Sequence, residues 1–358
     1  MAKPTPDKSP ATISDVSKHA GVSVATVSRV LSGSAAVDQS KSRRVHEAVA
    51  QLNYQPLRRT TRTPGRAAAK AARRGSQKSL GKVGVVLLND DVLAKYSNDF
   101  AATLRAVGKA LAAEGMSMIY ADLTGRGRLP EEIARGEVDG ILVAGGGGER
   151  SLLDQLPHCP TVWLTSHREA GRNTAALAGN EYVGQLAADH LLGLGCRQLA
   201  CLDVASDSPA NEVRRQFFAY TAAQADATTV HLAGPATLPR ESEADGWQKL
   251  EAATRALVDQ LAVSRPRVQG VLVTNPLVIG VVYDQLRHHG IQPEKDLHLV
   301  VCGHHEPLLA ALDPRPASID LRGEVIGRCA VQHLLNQIKR PGEAMPIDLM
   351  VRARLITP

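Results

Sequence analysis

Apolar residues in the first 56 positions recur at helical spacing in three short runs. Ile13, Val16 and Ala20 share one helical face, and Val27, Val30 and Leu31 share another. Val45, Ala48, Val49 and Leu52 fill the i, i+3, i+4 and i+7 positions of a third. Thr12 followed by Asp15 has the form of a helix start, because the hydroxyl can accept the orphan N–H groups of the first turn. Gly21 permits the turn that ends the first helix, and Ser23 offers an N-cap to the second. This arrangement leaves Val24, Ala25, Thr26, Ser28 and Arg29 on the free side of the second helix. Two helices joined by a tight glycine turn, with small and hydroxyl side chains at the exposed start of the second, suit entry into a DNA major groove. A purely structural helical bundle is the plainer alternative.

From Val83 onward the pattern changes to apolar strands alternating with amphipathic helices. Strands are predicted over 83–88, 117–120, 140–143, 161–164, 198–202, 270–274 and 297–302. Phe100, Leu104, Val107 and Leu111 form a helix face, and further helices are predicted over 180–193, 210–224 and 276–289. Such alternation implies parallel sheets covered by helices on both faces, with ligands bound beyond the carboxyl ends of the strands.

Charge sharpens this division. The chain of 358 residues carries 42 Lys and Arg against 36 Asp and Glu. Residues 1–80 hold fifteen of those bases and four of those acids, which leaves 27 bases and 32 acids for the rest. The positive charge therefore lies on the helical head and the segment after it, where phosphates can be neutralised, and the larger body is acidic. No apolar run approaches the roughly 20 residues of a membrane span. The N-terminus MAKPTPDKSP lacks the apolar stretch of a secretory signal. Cys159, Cys196, Cys201, Cys302 and Cys329 show no CxxC spacing and read as reduced, mostly buried thiols, so a cytoplasmic location is expected.

Signs of an enzyme are weak. The glycine run 145–148 follows a strand but fits neither nucleotide-binding glycine pattern. The pairs His288–His289 and His304–His305 lack helical i, i+4 spacing and a cysteine cluster to complete a zinc site. No G-x-S-x-G motif supports nucleophilic catalysis. No catalytic residue, metal or cofactor is assigned.

The run AGVSVATVSRVL followed by LNYQP closely resembles the headpiece of the LacI/GalR family of bacterial transcription regulators. The resemblance implies an all-α helix-turn-helix headpiece over 1–57 and an atypical basic linker over 58–80. It implies an α/β effector-binding and dimerisation body over 81–358, built of two Rossmann-like lobes like a periplasmic binding protein. Lobe one would comprise about 81–194 and 322–340, and lobe two about 195–321 and 341–358. The run HLLGLGCRQLACL at 190–202 carries the body's part of the resemblance. By the same resemblance the protein is a homodimer on a near-palindromic operator, most simply a repressor, controlled by a sugar, sugar acid or sugar phosphate between the lobes. A small-molecule receptor with only weak, nonspecific DNA binding is the alternative, and specific binding in the presence of competitor DNA separates the two.

Site residues follow position by position. Val24 and Ala25 would meet base edges, and Arg29 a guanine. Thr12, Ser23, Thr26, Ser28 and Tyr54 would contact phosphates. Lys41–Ser42 replaces the family's usual Thr-Arg, which shifts the backbone anchor, with Arg43 and Arg44 following. In the linker, Thr63–Pro64–Gly65 stands where the family carries a leucine wedge on a hinge helix, and threonine supplies no apolar blade. A basic tether, or a displaced helix over 66–74, therefore replaces it, and weaker operator bending is expected. In the body, Tyr182, Arg214, Asn275 and His304 are the effector-binding candidates. Gly179 and His304 stand where relatives carry carboxylates, and Pro276 replaces another. This loss of negative charge points to an acidic ligand.

Overall fold

The computed structural model describes residues 13–31, 38–52, 79–88, 98–123, 128–145, 156–165, 175–234, 245–340 and 347–358. They form two units, Met1–Lys70 and Ala71–Pro358. The linker expected over 58–80, with Thr63–Pro64–Gly65, lies outside the described residues except at its last two positions.

The first unit contains helices α1 (Ile13–Ala20), α2 (Val24–Leu31) and α3 (Gln39–Gln51). The periodic apolar positions converge: Val16, Ala20, Val27, Val30, Val45 and Ala48 are buried together, with Val22, Val49 and Leu52 packed against them. Gly21 takes φ +62°, the left-handed conformation that a tight turn between α1 and α2 requires. Arg44 of α3 secures that turn, donating from Nε and Nη2 to Ala20 O at 3.0 and 2.6 Å and from Nη2 to Gly21 O at 2.9 Å. A guanidinium thus fills carbonyls that the end of α1 leaves unpaired. Asp38 caps α3 by accepting from the backbone N–H of Ser40 and Lys41.

The second unit holds two sheets of six strands each. The first sheet contains β1 (Lys82–Leu87), β2 (Ser117–Asp122), β3 (Gly140–Ala144), β4 (Thr161–Thr165), β5 (Ala175–Ala178) and β11 (Asp348–Val351). Their order is β11-β5-β4-β3-β1-β2, and all neighbours are parallel. The second contains β6 (Gln198–Asp203), β7 (Thr228–Ala233), β8 (Gly270–Val273), β9 (His298–Cys302), β10 (Ala317–Asp320) and β12 (Arg354–Ile356). Its order is β12-β10-β9-β8-β6-β7, parallel except for β12 against β10.

Period-two alternation sends successive side chains to opposite faces of each sheet. On the first sheet, Val83, Val85 and Leu87 face α4 (Asn98–Ala113) and α11 (Gly323–Lys339), meeting Val107, Leu111, Val331 and Leu334. Val86, Ile141 and Val143 face the other way, toward Ile133 of the short α5 (Glu131–Ala134). On the second sheet, Leu199, Cys201 and Cys302 pack under α6 (Asn180–Gly193) and α7 (Pro209–Gln224). The opposite face, with Ala200, Leu202 and Val273, carries α8 (Gly246–Val263) and α9 (Ile279–His288), and α10 (Glu306–Leu309) follows β9. Two sheets, each covered on both faces, make two lobes.

The sheets draw the lobe boundaries differently from the sequence reading at two places. Residues 180–193, expected in lobe one, bury Val183, Ala187, Ala188 and Leu191 in the second sheet's core. Residues 348–351, expected in lobe two, pair with β5 in the first sheet. The chain therefore crosses between lobes at 179, at 321–322 and at 352–353. Helices α6 and α7 approach closely at Gly184, where a Cβ would lie 2.2 Å from Arg214 O and 2.6 Å from Phe218 N. No helix among the described residues is long and apolar enough to cross a membrane.

Candidate functional site

In the head, the cap and the turn aim the start of α2 outward. Ser23 Oγ accepts from Thr26 N at 3.2 Å and lies 2.9 Å from Thr26 Oγ1, so both hydroxyls sit together at the helix N-terminus. Val24, beside them, is 44% exposed although it is a branched apolar residue in an otherwise well-packed unit. An exposed valine flanked by hydroxyls suits a surface that meets thymine methyls and phosphates together. Lys41 is exposed in the first turn of α3. Ala25, Ser28 and Arg29 lie within α2, but their side chains, like all of Thr12 and Tyr54, lie outside the described residues. Arg44, which follows Lys41–Ser42, has its guanidinium committed to the α1–α2 turn.

In the body, a buried polar network closes the carboxyl end of the second sheet. Asp203, at the end of β6, is 1% exposed. Its Oδ1 accepts from Asn211 Nδ2 at 2.7 Å, Thr274 Oγ1 at 3.1 Å and Ala205 N at 3.1 Å. Arg214, 7% exposed on α7, donates from Nε to Asn180 Oδ1 at 2.8 Å and from Nη1 to Asn211 Oδ1 at 2.9 Å and Thr274 O at 3.4 Å. A guanidinium held by three neutral acceptors has a fixed direction. Its Nη2 makes no hydrogen bond among the described residues, which leaves a donor for a ligand.

The other candidates divide. His304 follows β9, with Nδ1 2.8 Å from Ser318 Oγ and Nε2 3.2 Å from Glu306 Oε2. Glu306 is in turn held by Arg315 at 3.0 Å, which keeps its carboxyl below the usual range. Asn275 spends its Oδ1 on capping the short 3₁₀ turn Pro276–Val278, accepting from Leu277 N at 2.9 Å, so its amide nitrogen is the group left to offer. Tyr182 lies under the Arg352 guanidinium, 4.9 Å from its ring centre, where two of the crossings between lobes meet. Asn275 and His304 follow the carboxyl ends of β8 and β9, and Arg214, from the second turn of α7, reaches Thr274 O there, whereas Tyr182 belongs to the crossing region.

Asp99, at the start of α4, was not foreseen. Burial pushes its carboxyl up to about 7, Asp320 adds to the rise, and Arg214 opposes it. Asp99, like Asp320 near it, is an acidic group that the sequence reading left out of its charge balance. No motif marks Asp99, since its place depends on the approach of distant segments. Asn211 and Asp203 also escaped notice, because each is an ordinary polar residue until the network assembles.

Residues 12–56 match the family described as bacterial regulatory proteins, lacI family, and residues 188–357 match a periplasmic binding protein-like domain. The chain is 24% identical over 337 residues to the HTH-type transcriptional repressor PurR of Aliivibrio fischeri (strain ATCC 700601 / ES114), covering 92% of each chain. The solved complex of the transcriptional regulator CelR with cellobiose superposes with a TM-score of 0.61 at 23% identity, covering 97% of this chain and 98% of that one. The Lac repressor dimer bound to operator and the anti-inducer ONPF gives a TM-score of 0.61 at 18% identity, covering 98% of both chains.

Proposed function

Because the chain belongs to the LacI family of bacterial regulatory proteins, we infer that it is a sequence-specific DNA-binding transcriptional repressor controlled by a small-molecule effector. The observation that carries this is the pairing of an outward-facing Val24 at a capped helix start with a buried, directed Arg214 in a separate α/β body.

The protein acts in the cytoplasm as a homodimer whose two heads occupy successive half-sites of a near-palindromic operator. Val24 and Ala25 read thymine methyls or groove shape, and Arg29 reads guanine. Thr12, Ser23, Thr26, Ser28, Lys41 and Tyr54 set register through phosphates. The edge strands β2 and β7 support self-association, because Met118, Tyr120 and Val230 are exposed there and a second copy would cover them. The linker lacks an apolar wedge, so the operator is bent little at its centre.

The effector is a small polyhydroxy compound, a sugar or sugar derivative, held between the lobes. Arg214 offers it Nη2, and Asn275 and His304 line the same strand ends. Ligand shifts operator affinity only by its differential affinity for two lobe arrangements. The basic head and acidic body suit this division of labour rather than catalysis.

The test is in-vitro selection of bound duplexes from a random pool with the full chain. Enrichment of one inverted repeat that survives excess competitor is the expected result. Equal retention of all sequences would leave only the weak, nonspecific receptor reading.

A further inference from the structure

One half-buried carboxyl lies on the seam between the lobes. Asp99 Oδ2 is 3.3 Å from the point that a Cβ on Gly303 would occupy, and Pro276 Cγ presses the same point at 2.9 Å. Gly303 ends β9 with φ +96°, a conformation that only glycine adopts without strain. The Asp99 carbonyl oxygen faces Gly323, where a Cβ would fall 2.2 Å away. The residue after β9 thus faces the Asp99 carboxyl across the lobes, while α11 begins against the Asp99 backbone.

Two charged groups bear on Asp99, Asp320 from β10 and Arg214 from α7. Gly303, Pro276, Gly323 and Thr103 on its own helix bring no charge. Among the described residues the Asp99 backbone carbonyl accepts from Thr103 Oγ1 at 2.7 Å, while no hydrogen bond reaches its carboxyl. A carboxyl placed this way has a lone pair or a proton to give to whatever enters the cleft.

We propose that Asp99 couples effector recognition to a proton: closing the lobes on a neutral, hydroxyl-bearing ligand buries this carboxyl in its protonated form, so acid favours the ligand-bound arrangement. The proposal rests on the effector reading above and narrows it to neutral ligands. A ligand carboxylate or phosphate would add a third acidic group beside Asp99 and Asp320, where Arg214 faces Asp99 and Arg354 already pairs with Asp320 at 3.1 Å. A protonated Asp99 instead offers one donor and one acceptor to ligand hydroxyls, and Arg214 Nη2 offers another donor.

The sign follows from linkage. When the lobes separate and water reaches Asp99, its carboxyl returns to its ordinary value of 3.8, whereas burial holds it at about 7. Between those limits closure takes up a proton, so affinity weakens as pH rises and levels off above the upper limit.

The test compares the full-length wild-type chain with Asp99→Asn and Asp99→Glu at pH 5.5 and 7.5. Thermal melts are run alone and with cellobiose, D-ribose, D-gluconate or glucose 6-phosphate as probes, followed by calorimetry on any probe that stabilises. The expected result is that Asp99→Asn gains melting temperature on wild type as pH rises, while Asp99→Glu keeps a pH-dependent profile. A stabilising neutral sugar should weaken by roughly tenfold or more over that interval in wild type and not in Asp99→Asn. Parallel melting profiles for wild type and Asp99→Asn would overturn the proposal, as would a sugar pH dependence that persists in Asp99→Asn. Stabilisation by the anionic probes alone would overturn the neutral assignment. If no probe binds, the sugar reading of the effector fails, whereas the melting profiles still report the proton on Asp99, so the two failures are read separately.

Discussion

Two alanine substitutions in α6 should move stability in opposite directions. At Gly184 an added Cβ would lie 2.2 Å from Arg214 O, 2.6 Å from Phe218 N and 3.0 Å from Phe217 Cβ. The nearest obstacles are backbone atoms of α7, which no rotamer change can remove. Ordinary contact requires the helices to part by about 1 Å, which loosens Leu191 and Phe218 in the shared core. Overpacking of this kind costs about 1–3 kcal/mol, and lost contacts add to it. Alanine's better helix propensity returns at most about 1 kcal/mol. The net loss is about 2–4 kcal/mol, or roughly 5–15 °C in melting temperature for a body of this size. Gly193, at the far end of the same helix, has nothing within 4 Å of its Cβ position. There propensity acts alone, and Gly193→Ala should raise the melting temperature by about 1–2 °C. Scanning calorimetry on both variants decides the matter. A Gly184→Ala protein as stable as wild type would mean that α6 and α7 do not pack as described.

Arg29→Ala should relax base preference at one operator position by about 1–3 kcal/mol of discrimination, seen in competition binding, while equal losses on specific and random duplexes would remove Arg29 from base reading. Lys41→Ala should weaken all sequences alike and flatten the salt slope by about one. Asn211→Ala removes partners of both Asp203 and Arg214 and should cost about 1.5–3 kcal/mol in urea unfolding. Ser40's hydroxyl and the Lys41 and Ser40 backbone N–H groups hold the Asp38 carboxyl below its ordinary value. Its capping is therefore present above that value and lost as pH falls through the depressed one, so the helical signal lost on Asp38→Ala at neutral pH should disappear in acid.

The head was legible because three helices each carried a 3.6-residue stripe, and Ser23 announced the second by its chemistry. Arg44 received no role from the sequence because its partners are carbonyls, which leave no mark there. In the body, branched runs such as Lys82–Leu87 and His298–Cys302 showed themselves as strands. Ala175–Ala178 did not, since four small residues carry little strand propensity, and Thr228–Ala233 did not, since an edge strand exposes most of its side chains. The lobe boundary was misplaced at α6 because periodicity shows that a helix has a buried face and not which sheet covers it. Arg214 was found through the resemblance, but the groups that aim it come from 180, 211 and 274 and meet only in three dimensions.

The final segment links the two cores in an unusual way. Strands β11 and β12 lie two residues apart, and each forms the outer strand of a different sheet. A protease cutting just before Asp348 would strip one edge from both sheets at once, so neither lobe can be excised as a continuous fragment. Folding of the two halves is thereby tied to one shared stretch of chain, made after the other strands of both sheets. A nascent body should stay incomplete in both lobes until that stretch arrives, which a stalled-translation protease assay would reveal as late, simultaneous protection.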